Sequence, residues 1–172
     1  MENSTSVKSV AYPYGMVLAI YSILVLVLIY AFNVAQDNWI VGVINALVSI
    51  AIFVLAIKKF KQNNNGFLSL KEALKVGLAV AVISGLITAV YSFIHYSFVY
   101  PEYSEIMYDE AVLQMTEQGI PESQQSQALE MTKMFTSPWF FATMALVGSL
   151  FFGFIISLIT GLILKRENPA HQ

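Results

Sequence analysis

The chain has 172 residues, 57 % of them hydrophobic, 13 % aromatic and only 12 % charged. Soluble domains carry about 25 % charged residues, so an ordinary water-soluble fold is excluded. The formal charge of −2 decides nothing by itself, because its distribution is what matters. The basic residues gathered over positions 58–75 are too few and too close to the apolar runs to favour nucleic acid, and the lack of cysteine excludes disulfides and thiolate metal sites.

The first apolar run covers residues 14–35 and follows Lys8. A signal peptide would have an apolar stretch of about 7–15 residues and a small-residue cleavage site. This run is longer and lacks that site, so a retained transmembrane helix is expected. Asp37 and Asn38 then predict a tight turn into Trp39, an aromatic suited to the membrane interface. The second apolar run, residues 39–57, stops at Lys58, Lys59 and Lys61 and is followed by Gln62-Asn63-Asn64-Asn65-Gly66, a loop signal. Asn33 and Asn45 are expected to hydrogen-bond across this first hairpin.

Ser69 and Glu72 have the spacing of a capping box and predict the start of a third helix, residues 74–100 in its membrane part. Lys71 and Lys75, four residues apart on its first turns, are expected to snorkel toward water or to meet anionic lipid headgroups. Pro101 ends this run. Residues 101–137 carry seven carboxylates and one lysine, Lys133. Ile106, Ala111, Leu113 and Met115 predict a helix over about residues 102–118. Gly119 and Pro121 then punctuate the chain before a second helix that reaches about Met134. Ser137-Pro138 turns the chain into the fourth apolar run, residues 138–164, which Lys165 and Arg166 close.

Each run approaches or exceeds the roughly 20 helical residues that cross a hydrocarbon layer about 30 Å thick. Lysine and arginine cluster on one side of these runs and carboxylates on the other. The positive-inside rule therefore predicts an all-α membrane protein of four transmembrane helices, forming one domain over residues 1–172. Both termini are expected in the cytoplasm, and an acidic helical loop outside between helices three and four. The bilayer is the first partner implied.

Within the third helix Ala73, Gly77, Ala81, Gly85 and Ala89 recur at every fourth position; in the fourth Ser149, Gly153, Ser157 and Gly161 do the same. Small residues on one helix face let two backbones approach closely. These ladders are expected to pack helices three and four together, a homodimer face being the competing use.

Few polar groups lie at membrane depth. Asn45, Tyr91 and His95 are the candidates for a polar function; His95, near the outer end of its helix, serves either as a structural hydrogen-bonding group or in proton or ligand handling. Tyr91, Phe93, Tyr96, Phe98, Tyr100, Tyr103 and Tyr108 crowd the same end, as an aromatic girdle or as the lining of an apolar ligand cavity. Glu102, Glu105 and Asp109 share much of one helix face, which reads as a solvated surface or a weak cation bridge. His171 and His95 are the only histidines, too few for a histidine metal site. Metalloprotease, nucleophile-elbow, phosphate-loop and dinucleotide motifs are all missing. No catalytic, metal or cofactor residues are assigned, and an enzyme is not expected.

The segments Gly66-Phe67-Leu68-Ser69-Leu70-Lys71-Glu72-Ala73, Tyr100-Pro101-Glu102, Phe135-Thr136-Ser137-Pro138 and Leu164-Lys165-Arg166 resemble an uncharacterised family of small membrane proteins, domain of unknown function 4199. The resemblance covers about residues 14–167. It implies a four-helix inner-membrane protein of a Gram-negative bacterium and supplies no activity that could be placed on residues. The expected function is a non-catalytic protein that assembles with, or regulates, another membrane component, as a hetero-complex or a homo-oligomer. A small oligomeric transporter or channel is the alternative, disfavoured as an ion-coupled pump because no charged residue lies mid-helix.

Overall fold

A computed structural model describes residues 6–35 and 38–167, with only the backbone of residues 122–124. Asp37 and His171 of the sequence reading lie outside the described residues. Among the described residues six α-helices follow in order: α1 (Val7–Ala31), α2 (Trp39–Asn63), α3 (Leu70–Ile94), α4 (Glu102–Glu117), α5 (Glu122–Phe135) and α6 (Pro138–Leu164). A π-helical turn, His95–Val99, extends α3. Four of these elements are long and apolar enough to cross a membrane: α1, α2, α3 with its π turn, and α6. Helices α1, α2 and α3 overrun their apolar stretches at the lysine-bearing ends, while α1 stops at Ala31, short of residue 35, and α6 coincides with its stretch. Thus α1 starts at Val7 and α2 continues past its lysines to Asn63.

Local chemistry sets the ends. Asn38 caps α2, its Oδ1 accepting from the Ile40 N–H at 3.0 Å. At the end of α1, Asn33 takes a left-handed conformation (φ 53°). The Val34 N–H then donates to the Ile29 carbonyl at 2.9 Å, a helix-ending pattern that satisfies an orphan acceptor. Asn33 is therefore a turn residue and not the partner of Asn45. Gly119 (φ 68°) ends α4 in the same way, the Ile120 N–H donating to the Met115 carbonyl at 3.0 Å. Ser69 and Glu72 close a reciprocal cap on α3: the Ser69 N–H donates to Glu72 Oε2 (2.7 Å) and the Glu72 N–H to Ser69 Oγ (3.2 Å). Ser137 Oγ accepts from the Phe140 N–H at 3.2 Å, with Pro138 in the first turn of α6.

The residues group into two compact units, Met1–Thr88 with Leu146–Gln172, and Ala89–Ala145. The first holds the apolar core, built from Val10, Leu18, Phe53, Ile57, Phe60, Leu68, Val76 and Val80. Within it the small residues of α3 and α6 meet in antiparallel register. A Cβ at Gly161 would lie 2.8 Å from Ala73 Cβ, one at Gly77 would fall on the Ser157 hydroxyl, one at Gly153 would lie 2.6 Å from Ala81 Cβ, and one at Gly85 would lie 3.0 Å from Ser149 Cβ. Four residues forward on α3 is four back on α6. Hydroxyls bond through the same seam: Ser149 Oγ donates to the Ala81 carbonyl at 2.9 Å and lies 3.2 Å from Ser84 Oγ. Ser157 Oγ turns back to its own helix at the Gly153 carbonyl, 2.5 Å away.

At the lysine-rich end the chain after α6 is fastened to the α2–α3 loop. Leu68 and Arg166 exchange backbone hydrogen bonds of 2.9 and 2.8 Å, and Lys61 Nζ donates to the Leu164 carbonyl at 2.7 Å. Asn64 Nδ2 donates to the Phe67 carbonyl and to Glu72 Oε1, and the Arg166 guanidinium stands 5.5 Å from the Phe67 ring centre. The second unit contains the C-terminal part of α3, its π turn, the α4–α5 helical hairpin and the start of α6.

Candidate functional site

The π turn arises where a helix runs into Pro101. A residue before proline is pushed out of the α region, and Tyr100 adopts φ −136° and ψ 58°. The last turn widens, and the Tyr100 N–H donates to the His95 carbonyl, five residues back, at 2.8 Å. Such turns are frequent at functional sites. Here the turn accompanies an aromatic cluster in the second unit.

His95 is fully buried, with Ser92 and Tyr96 nearly so. The imidazole stands edge-on to the Tyr96 ring at 5.1 Å and tilted to Tyr91 at 5.8 Å. Tyr96 in turn packs on Phe141 of α6 (4.3 Å) and Tyr103 of α4 (5.3 Å), and Tyr103 reaches Tyr100 and Phe141. Phe93 meets Trp139 at 4.5 Å. Offset and edge-on ring pairs at these separations add about 0.5–1.5 kcal/mol each beyond area burial. Phe98 and Trp139 are instead about three-quarters exposed, so the aromatics divide into an inner packed layer and an outward pair.

Asn45 belongs to the other unit. Its Oδ1 accepts from the Tyr21 hydroxyl at 2.8 Å, joining α1 to α2. Tyr21 was not among the sequence candidates, because a tyrosine one-third along an apolar run reads as an ordinary membrane aromatic. Ser84, one residue before ladder position 85, was missed for a similar reason: its hydroxyl bonds the Val80 carbonyl within α3 and meets Ser149 across the seam. Lys71 and Lys75 are both exposed on the first turns of α3.

Between α4 and α5 an open groove of about 340 Å³ is lined by Ser104, Glu105, Tyr108, Asp109, Lys133 and Thr136. Ser104 Oγ donates to the Thr136 carbonyl at 2.6 Å, and the Lys133 ammonium lies 5.1 Å over the Tyr108 ring. Among the described residues no three His, Cys, Asp or Glu side chains converge as a metal site. The chemistry on offer is thus helix packing, a buried aromatic–imidazole layer and a basic end.

No curated protein and no solved structure matches the chain. The family described as "Protein of unknown function (DUF4199)" matches residues 13–166, most of the chain. With its four membrane-length helices, the chain belongs to this DUF4199 family of uncharacterised bacterial membrane proteins, and is itself multi-pass.

Proposed function

We propose that this chain is a non-catalytic protein of the bacterial inner membrane that assembles with, or regulates, another membrane component. Both termini lie in the cytoplasm and the acidic α4–α5 hairpin lies outside; the uneven distribution of lysine and arginine supports this orientation. The ladders Gly77, Ala81, Gly85 and Ser149, Gly153, Ser157, Gly161 hold α3 and α6 together within one copy, which leaves other surfaces for partners.

The observation that carries this reading is the emptiness around the α1–α2 hairpin. Among the described residues, none from 20 to 51 is buried. Trp39 is 74 % exposed and Leu47 62 % exposed. Gly42 and Ala46, four residues apart, are both exposed, and a Cβ at Gly42 would meet nothing within 4 Å. Lipid alone needs no small residues, whereas a neighbouring helix gains close approach from them.

The test is a photo-crosslinking residue at Gly42 or Ala46 in intact cells, followed by mass analysis of the adducts. A discrete adduct with a second membrane protein, lost on introducing Leu at the other of the two positions, supports the proposal. Adducts with lipid only would overturn it, and adducts with a second copy only would replace the hetero-complex with a homo-oligomer.

A further inference from the structure

We propose that α1 and α3 form, at their lysine-rich ends, a binding groove for one anionic phospholipid. One acyl chain lies between the helices and the phosphate is held by Lys8 and Lys75. The inference needs only that these helices span a membrane, so it stands or falls apart from the protein-partner reading.

The groove measures about 300 Å³ and is lined by Lys8, Ala11, Tyr12, Leu78, Ala79, Val82 and Ile83. Apart from Lys8 and the tyrosine hydroxyl its walls are hydrocarbon. The groove has a physical cause in the sequence. At Gly15 the two helices touch so closely that a Cβ there would lie 2.8 Å from Ile83 Cβ and 3.3 Å from the Val80 carbonyl oxygen. One turn nearer the lysines, Ala11 and Ala79 are too small to fill the space between the backbones. The result is a slot closed at its deep end by the Gly15–Ile83 crossing and open toward the membrane surface.

Charge is placed where a headgroup would sit. Lys8 lies about two turns before Gly15, and Lys75 about two turns before Ile83. Lys75 also shares a helix face with Leu78, Ala79 and Val82, and Lys71 continues that face one turn further. All three lysines are exposed. The carboxylate nearest Lys71 and Lys75 in sequence, Glu72, is held at the start of α3 by Ser69 and Asn64. From Lys75 to Ile83 the helix rises about 12 Å, most of the roughly 15 Å that one leaflet contributes to the hydrocarbon layer. The groove lines residues 78–83 of α3, about 7–8 Å of that rise, and an apolar slot there beneath ammonium groups fits a lipid with a negative phosphate. It does not suit a soluble anion, which would leave the hydrocarbon walls unused.

The experiment titrates the purified full chain in zwitterionic nanodiscs with phosphatidylglycerol and reads bound lipid by native mass spectrometry. One saturable phosphatidylglycerol per chain is expected, weakened about fivefold for each of Lys8→Gln and Lys75→Gln. Ala79→Leu, which fills the slot and leaves every charge in place, should weaken it as well. Lys58→Gln with Lys59→Gln, the same loss of charge outside the groove, should leave it unchanged. Equal losses from both lysine pairs would reduce the effect to diffuse charge attraction and overturn the proposal. So would inorganic phosphate competing as well as the lipid. Should Ala79→Leu fail to fold, the comparison of the two lysine pairs still decides.

Discussion

Ser157 of α6 fills the space that a side chain at Gly77 of α3 would need: a Cβ built at Gly77 coincides with the serine hydroxyl. The pair sits in the middle of a seam whose members meet every four residues, so an added methyl has no free direction in which to move. Gly77→Ala should destabilise the protein by about 1–3 kcal/mol, and Ser157→Gly should recover much of that loss in the double variant. Gly42→Ala, with open space around it, should change stability by less than about 0.5 kcal/mol. Reversible unfolding in detergent micelles measures all three. Equal effects at Gly77 and Gly42 would show that the seam does not hold the helices.

The Tyr21–Asn45 bond joins α1 to α2 in a region with few other constraints. Interhelical hydrogen bonds in membranes average about 0.6 kcal/mol, so Tyr21→Phe should cost about that much. A double-mutant cycle with Asn45→Ala isolates the coupling. A coupling near zero would mean that the two side chains find substitutes elsewhere.

The cap on α3 does two things at once, because Glu72 receives both Ser69 and Asn64. Ser69→Ala should cost about 1 kcal/mol. Glu72→Ala should cost more, since it also releases the loop at Asn64. Hydrogen exchange at residues 69–73 should quicken in both variants, and at residues 64–67 only in the second.

The orientation is open to direct chemical labelling, helped by the absence of native cysteine. A cysteine at Gln62 should be protected from a membrane-impermeant thiol reagent in whole cells, and one at Gln118 should react. Both positions are exposed, so burial will not mimic protection. The opposite pattern would reverse the proposed orientation.

The four long helices were legible because about 20 uninterrupted apolar residues have few outlets other than a bilayer or a large core. The cap at Ser69–Glu72 and the breaks at Gly119 and Ser137-Pro138 were equally plain, since each depends on residues within a few positions of one another. What escaped the sequence depends on distant partners or on local backbone geometry that apolar patterning does not encode. Asn45 bonds across the hairpin as expected, but to Tyr21, while Asn33 is taken up by the left-handed turn that ends α1. The π turn at His95 follows from Pro101, but the periodicity of apolar residues carries no trace of one widened turn. Leu68 and Arg166 are nearly a hundred residues apart, and a two-residue backbone pairing leaves no pattern in either segment.

That pairing has a consequence for the order in which the protein is made. Leu68 is fully buried, and its N–H and carbonyl are satisfied by Arg166, which leaves the ribosome about a hundred residues later. At about 5–20 residues per second, the loop waits roughly 5–20 s for its partner. Until α6 has entered the membrane, the α2–α3 turn has an apolar side chain and two backbone groups without their final neighbours. Helix α6 therefore closes this end as a latch does, and a nascent chain stalled before residue 164 should expose it to insertion factors or proteases that the chain resists once Arg166 is in place.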